Sequence, residues 1–190
     1  MILFVYGGLG TNKGGIMQLK NGKDLLIRKA RKDDAAELIK YLNTVGGESD
    51  NLLYGADEFT MSVEQEEEYI DNLSDSDTSV LLVGTVDDKI VCVGSIFAPT
   101  RERIAHQGDL GMSVLKEFWG LGVGTCLMEA LIQFAEDTNK IEILHLQVRT
   151  DNTHAIALYK KMGFEEIGVY SKYTKIDGQY FDDILMNLYL

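Results

Sequence analysis

Apolar and polar positions along the 190-residue chain fall into two periods, two and about three and a half, and the switches between them mark out the elements. Leu25 to Lys29 (LLIRK) reads as a short strand. Asp33-Asp34 then open an amphipathic helix with Ala36, Leu38, Ile39, Leu42 and Val45 near one face, and Gly46-Gly47 are expected to end it. Glu48 to Thr60 is an irregular connection. Ser62-Val63-Glu64-Gln65 has the form of a capping box, which predicts a second helix, acidic in its first turn, to about Leu73. Two β-rich runs follow, Val80–Val86 and Ile90–Ala98, joined by Asp87-Asp88-Lys89 as in a hairpin. His106 to Leu115 alternates as a third strand of this set.

A glycine run leads into a helical pattern with Leu127, Met128, Leu131, Phe134 and Ala135 on one face. Ile143–Val148 is a strand. Asn152 starts another helix, with Ala155, Ile156, Leu158, Tyr159 and Met162 spaced for one face and Gly163 at its end. Phe164–Tyr173 and Phe181–Leu190 close the chain as a hairpin around Asp177-Gly178. The predicted order is β-α-α-β-β-β-α-β-α-β-β. Hairpins bracket strand–helix–strand units, so the fold class is α/β with a mixed central sheet, neither all parallel nor all antiparallel.

Composition changes this picture little, and charge narrows the function. The 30 acidic and 18 basic residues give a net charge of −12. Binding to nucleic acid through its phosphates needs a basic face, so that class is disfavoured, as are anionic membrane surfaces. The balance suits a cationic substrate, although surface acids also serve solubility alone. Cys92 and Cys126 read as small buried hydrophobes, and no Cys/His spacing points to zinc; a reducing cytoplasm is the expected location.

The opening MILFVYGGLG is too short to span a membrane and lacks a secretory signal pattern. Lys13-Gly14-Gly15-Ile16-Met17 can be encoded by a bacterial ribosome-binding sequence and a start codon. Residues 1–24 are therefore expected to be an N-terminal extension, with 1–16 arising from an upstream start and Met17 opening the native chain. Residues 25–190 are expected to form one domain.

The stretch Phe118-Trp119-Gly120-Leu121-Gly122-Val123-Gly124-Thr125-Cys126 is the most specific chemical signal. A helix start carries unpaired N–H groups and a positive dipole end. Glycines ahead of it let the backbone approach an anion closely and form a concave nest of amides. Gly120-x-Gly122-x-Gly124 therefore fits a pyrophosphate cradle; tight packing of the turn against the sheet is the alternative. A Walker loop is excluded because no lysine precedes Thr125. A Rossmann fingerprint is excluded because Gly120-x-Gly122-x-x-Thr125 lacks the third glycine.

Two segments together resemble a known family. Leu110 to Leu131 (LGMSVLKEFWGLGVGTCLMEAL) looks like the cofactor motif of the GNAT superfamily of acetyl-CoA-dependent N-acetyltransferases. Leu146 to Phe164 (LQVRTDNTHAIALYKKMGF) looks like that family's strand–Asn–helix–Tyr–Gly-Phe segment. The usual form is Gln/Arg-x-x-Gly-x-Gly/Ala; here Gly122 and Gly124 match, while Trp119 stands where Gln or Arg is usual.

The resemblance implies a GNAT-like fold with a mostly antiparallel sheet flanked by helices, and an acyl-CoA lying where His106–Val114 splays from Ile143–Val148. It implies that the backbone of Met112, Ser113 and Val114 holds the pantetheine and thioester, and that Trp119, Gly120, Leu121, Gly122, Val123, Gly124 and Thr125 hold the pyrophosphate. Asn152 would bond the cofactor arm, and Tyr159 would face its sulfur.

Acetyl transfer to an amine needs a neutral nitrogen, a polarised carbonyl and a proton for the departing thiolate. The amide of Val114 is the candidate for the carbonyl and Tyr159 for the proton. A core tyrosine is the alternative for Tyr159. Glu58, His106 and Asp109 are the candidates for the base, and water is a fourth. His106 shares a strand face with Val114 by period two; a bulge would exchange it for Asp109. A non-catalytic acyl-CoA-binding module of the same fold is the rival reading. The expected acceptor is a primary amine, cationic, of a small molecule or a peptide, and the exposed hairpin edges make a homodimer an expectation as well.

Overall fold

The computed structural model describes residues 15–190. The expectation for residues 1–16 therefore lies outside the described residues except at Gly15 and Ile16. The chain forms β1 (Gly15–Gln18), β2 (Asp24–Lys29), α1 (Ala35–Glu48), α2 (Val63–Ser74), β3 (Val80–Val86), β4 (Lys89–Phe97), β5 (Gln107–Val114), α3 (Val123–Thr138), β6 (Ile143–Arg149), α4 (Thr153–Lys161), β7 (Glu165–Ile176) and β8 (Gln179–Tyr189). The strands make one eight-stranded sheet in the order β1-β2-β3-β4-β5-β6-β8-β7. Every neighbouring pair is antiparallel except β5 and β6.

The elements follow from local sequence as anticipated, with three differences. First, β1 pairs with β2 ahead of the predicted order. Its four residues are too few for an alternation to show, and Ile16 stays two-thirds exposed, so pairing rather than pattern makes it a strand. Second, α1 continues through Gly46-Gly47 to Glu48. A Cβ on Gly46 would lie 2.5 Å from the Gly55 carbonyl oxygen, so that glycine admits the following loop instead of stopping the helix. Third, His106 precedes β5. It lies in the turn before the strand, and its carbonyl accepts from Glu142 and Ile143 at 2.8 and 3.1 Å, starting β6. The hairpin turns are as expected: Asp87-Asp88 and Asp177-Gly178 are consecutive left-handed pairs, the geometry of a type I′ turn.

The two faces of the sheet are covered by different helices. Ser113 bonds Tyr41 of α1, while its neighbours Met112 and Val114 lie against Gly124 of α3. Adjacent strand residues point to opposite faces, so α1 and α3 are on opposite sides. The central core lies between α3 and the sheet. Leu127, Met128, Leu131 and Ala135 of α3 have no measurable exposure, and each of the larger side chains contributes about 2 kcal/mol through burial. Opposite them Gly94 in β4 leaves no room for a side chain beside Leu127 and Leu131. α2 is held at its start by the predicted capping box: Ser62 Oγ accepts from Gln65 N–H at 3.3 Å, and Gln65 Oε1 accepts from Ser62 N–H at 2.9 Å. No helix among the described residues is long and apolar enough to cross a membrane.

Candidate active site

The register of the sheet opens a slot at its centre. β5 pairs with β6 only at Gln107–Asp109 against Ile143–His145. Beyond that point β6 leaves β5 and stays paired with β8 as far as Arg149 opposite Asp183. On its other edge β5 remains paired with β4, Cys92 opposite Val114 and Gly94 opposite Met112. Leu115 N–H donates to Val91 O at 3.0 Å, which fixes the phase of this ladder. In an antiparallel pair, hydrogen-bonded and non-bonded residues alternate. Ser113 therefore faces β4 with its backbone groups, and Met112 and Val114 present theirs to the gap left by β6.

The glycine turn closes the wide end of this gap. Gly120 and Gly122 have φ of +74° and +101°, and neither would meet another atom within 4 Å if given a Cβ. Backbone conformation and open space, not packing, thus account for these two glycines. Gly124 is different: its Cβ would sit 3.4 Å from Leu158 and 3.6 Å from Met112, where α3, α4 and β5 converge. Before the turn, backbone donors are consumed. Lys116 N–H bonds Glu48 Oε2 at 2.7 Å, Phe118 N–H bonds Leu115 O at 2.9 Å, and Trp119 N–H bonds Lys116 O at 3.1 Å. From Gly120 through Thr125 six consecutive N–H groups donate to no described residue, and the ladder resumes with Cys126 N–H on Gly122 O at 3.1 Å. Such an array at a helix start matches an anion with several oxygens.

Trp119 does not point its indole into this array. Its Nε1 donates to the Val114 carbonyl at 2.8 Å while the residue is about half exposed, 48%. The Val114 carbonyl is thereby occupied and its N–H is left to the gap. Asn152 caps α4, its Oδ1 accepting from Ala155 N–H at 3.3 Å, and its side-chain N–H groups donate to no described residue. Tyr159, on α4, is buried against Phe164 with ring centres 5.9 Å apart. Its hydroxyl makes no hydrogen bond among the described residues, and burial pushes its pKa up to about 12. Such a hydroxyl stays protonated and can act as an acid, not as a base.

The base candidates sit on the α1–α2 loop, on β5 and in the turn before β5. His106 is eight residues from Val114, roughly 25 Å along an extended chain. Asp109 is exposed on the α1/α2 face, on the opposite side of the sheet from the Met112 and Val114 side chains. Glu58 is exposed in the α1–α2 loop, and its Oε2 accepts from Gly55 N–H at 3.0 Å. No metal-binding group of three or more His, Cys, Asp or Glu is found among the described residues. Burial raises the Cys92 thiol to about 12 and the Cys126 thiol to about 11, so neither offers a thiolate nucleophile.

Sequence reasoning missed the groups that join distant segments, because no local pattern signals them. Tyr41 and Ser113 share a hydrogen bond of 2.9 Å across 72 positions, and burial lifts the Tyr41 hydroxyl well above its usual range. Arg149 is more telling. It grips Asp151 with two bonds of 3.0 and 2.6 Å, donates to the Asp50 carbonyl at 2.7 Å and stacks 3.9 Å over the Phe181 ring. One side chain thus ties the α1–α2 loop, the end of β6 and the closing hairpin. Beside it Asp183 is buried, accepts from Thr174 at 3.4 Å and has its pKa raised by desolvation. Glu66 of α2 is 1% exposed, its Oε2 has no hydrogen-bond partner among the described residues, and burial raises its pKa.

Two parallel strands thus part beside a helix start whose amides donate to no described residue, within a mixed α/β sheet. A sequence profile of the acetyltransferase (GNAT) family matches residues 50–164. The chain is 33% identical over 105 residues to L-amino acid N-acetyltransferase AaaT of Escherichia coli, covering 55% of this chain and 65% of that protein. It is 30% identical over 156 residues to an N-alpha-acetyltransferase of Sulfurisphaera tokodaii, covering 82% and 89%. An acetyltransferase of the GNAT family from Streptococcus pneumoniae, solved by crystallography, superposes with a TM-score of 0.86 at 34% identity, covering 87% of this chain and 99% of that one. The chain belongs to the GNAT family of acetyltransferases, enzymes that use acetyl-CoA as acyl donor.

Proposed function

We propose that the protein transfers the acetyl group of acetyl-CoA directly to the α-amino group of an amino acid or of a peptide N-terminus. The observation that carries the donor half is the run of unpartnered amides from Gly120 to Thr125 beside the β5/β6 gap. In this reading those amides hold the diphosphate, Met112 and Val114 line the pantetheine arm, and Asn152 bonds it from the α4 side. Acetyl-CoA supplies an activated thioester carbonyl. The Val114 N–H stabilises negative charge developing on that carbonyl oxygen. The amine nitrogen forms the new C–N bond, the C–S bond breaks, and the Tyr159 hydroxyl gives its proton to the sulfur. Water or Glu58 takes the proton lost by the amine; Asp109 lies on the sheet face opposite the Met112 and Val114 side chains, and His106 is eight residues from Val114. Holding both reactants in one cleft supplies much of the acceleration.

The acceptor half rests on the names of the two relatives, an L-amino acid N-acetyltransferase and an N-alpha-acetyltransferase, and on the net charge of −12, which favours a cation. The cytoplasm is the proposed location and acceptors free in solution the proposed partners. Thiol release from acetyl-CoA, followed over a panel of amino acids, short peptides and diamines, tests the reading. Turnover on α-amines is expected. Tight CoA binding with no turnover on any amine supports a binding module instead.

A further inference from the structure

The segment ahead of β2 touches the glycine turn at one residue. Lys20, in the turn between β1 and β2, donates from Nζ to the Gly120 carbonyl at 3.0 Å and from its backbone N–H to the Leu121 carbonyl at 3.4 Å. Its turn is fixed independently: Leu19 is buried, Leu19 N–H bonds Lys23 O at 2.8 Å, and Gly22 N–H bonds Leu19 O at 2.9 Å. All described peptides are trans, and in a trans peptide the carbonyl and the N–H point in opposite directions. The carbonyls of Gly120 and Leu121 belong to the same peptide groups as the amides of Leu121 and Gly122. Holding the two carbonyls on the Lys20 side therefore turns those two amides to the other side, where the proposed cradle lies. The positive charge on Nζ also polarises the Gly120–Leu121 peptide and makes its N–H a better donor.

We infer that Lys20 is a positioning residue for the diphosphate cradle, acting through the Gly120 and Leu121 carbonyls to aim and polarise the amides of Leu121 and Gly122. The inference rests on the proposed placement of the diphosphate and adds a role for the N-terminal strand. β1, paired with β2, anchors the turn that presents Lys20. The device suits this chain in particular, because Trp119 sends its indole to Val114 and brings no cation to the turn.

The test compares CoA with pantetheine, which lacks the diphosphate, by calorimetry on wild type, Lys20→Met and Lys20→Arg. Lys20→Met is expected to weaken CoA about fivefold, a modest effect because the ammonium is exposed. Pantetheine affinity and melting temperature are expected to stay at the wild-type level, and Lys20→Arg is expected to recover most of the CoA affinity. In ¹⁵N–¹H spectra of the free protein the Leu121 and Gly122 amides should shift in Lys20→Met. Unchanged CoA affinity in Lys20→Met, or equal losses for CoA and pantetheine, would overturn the inference while leaving the transferase reading intact. A wild-type protein that binds no CoA would overturn both.

Discussion

The donor side and the acceptor side of the cleft are built on different principles. In the proposed reading, donor recognition comes from main-chain groups: the amides of Gly120 to Thr125, which donate to no described residue, and the outward-facing edge of β5 at Met112 and Val114. Side chains there serve to free or orient backbone, as the Trp119 indole does by occupying the Val114 carbonyl. On the proposed acceptor side, recognition would come from side chains on an irregular loop and a hairpin, which Arg149 holds together. Main-chain recognition needs only glycine and helix-start spacing, and it tolerates Trp119 at a position where the family usually has Gln or Arg. Side-chain recognition has no such spacing, so it can change the acceptor without disturbing the donor.

This contrast can be broken from either side. The largest effect is expected for Gly122→Glu. A carboxylate beside a bound diphosphate should weaken CoA binding by roughly a hundredfold or more. The left-handed φ of +101° costs a non-glycine residue about 1–2 kcal/mol, a loss of a few degrees in melting temperature. Calorimetry and a thermal melt separate the two; a cradle unaffected by the new charge would leave CoA affinity near wild type. Tyr159→Phe is expected to lower kcat roughly a hundredfold with the KM for acetyl-CoA little changed. Because the lost hydroxyl has no hydrogen-bond partner among the described residues, stability should not fall, and a variant with wild-type kcat would remove Tyr159 from the mechanism.

Arg149→Met should raise the KM for the amine while sparing the affinity for CoA. It should also cost about 2 kcal/mol of stability in chemical denaturation, from the lost bonds to Asp151 and the Asp50 carbonyl. Equal effects on donor and acceptor would erase the distinction between the two sides.

The smallest effect is a pH dependence. The Glu66 carboxyl has a folded pKa above its unfolded value of 4.5 because burial disfavours the charge. The folded state therefore binds this proton more tightly. The contribution to stability is fully present below pH 4.5 and is lost as pH rises through the raised folded value. Glu66→Gln should remove that decline and stabilise the protein at neutral pH relative to wild type by about 1 kcal/mol. Parallel stability–pH curves for the two proteins would contradict it.

The elements of the proposed donor side were legible in the sequence because their patterns are periodic. Alternation placed β5, helical spacing placed α3 and α4, and the glycine run between them marked the turn. Asn152 and Tyr159 could be located by their place around α4. The acceptor side was not legible, because Arg149 acts on Asp50 across 99 positions and on Phe181 across the closing hairpin. Tyr41 and Ser113 met for the same reason, through α1 crossing the sheet. His106 could be read as a strand residue because the alternation starts one position before the strand does; its carbonyl is needed to start β6. Lys20 lay in a segment without periodicity, and only the fold brings it to Gly120.

Hydrogen–deuterium exchange with and without CoA tests the central claim most directly, since that claim concerns amides. Slowed exchange on CoA binding is expected at Met112, Val114 and the run from Gly120 to Thr125, with β7 unchanged. Exchange at Gly120–Thr125 that is the same with saturating CoA, with protection appearing on another part of the surface, would contradict it.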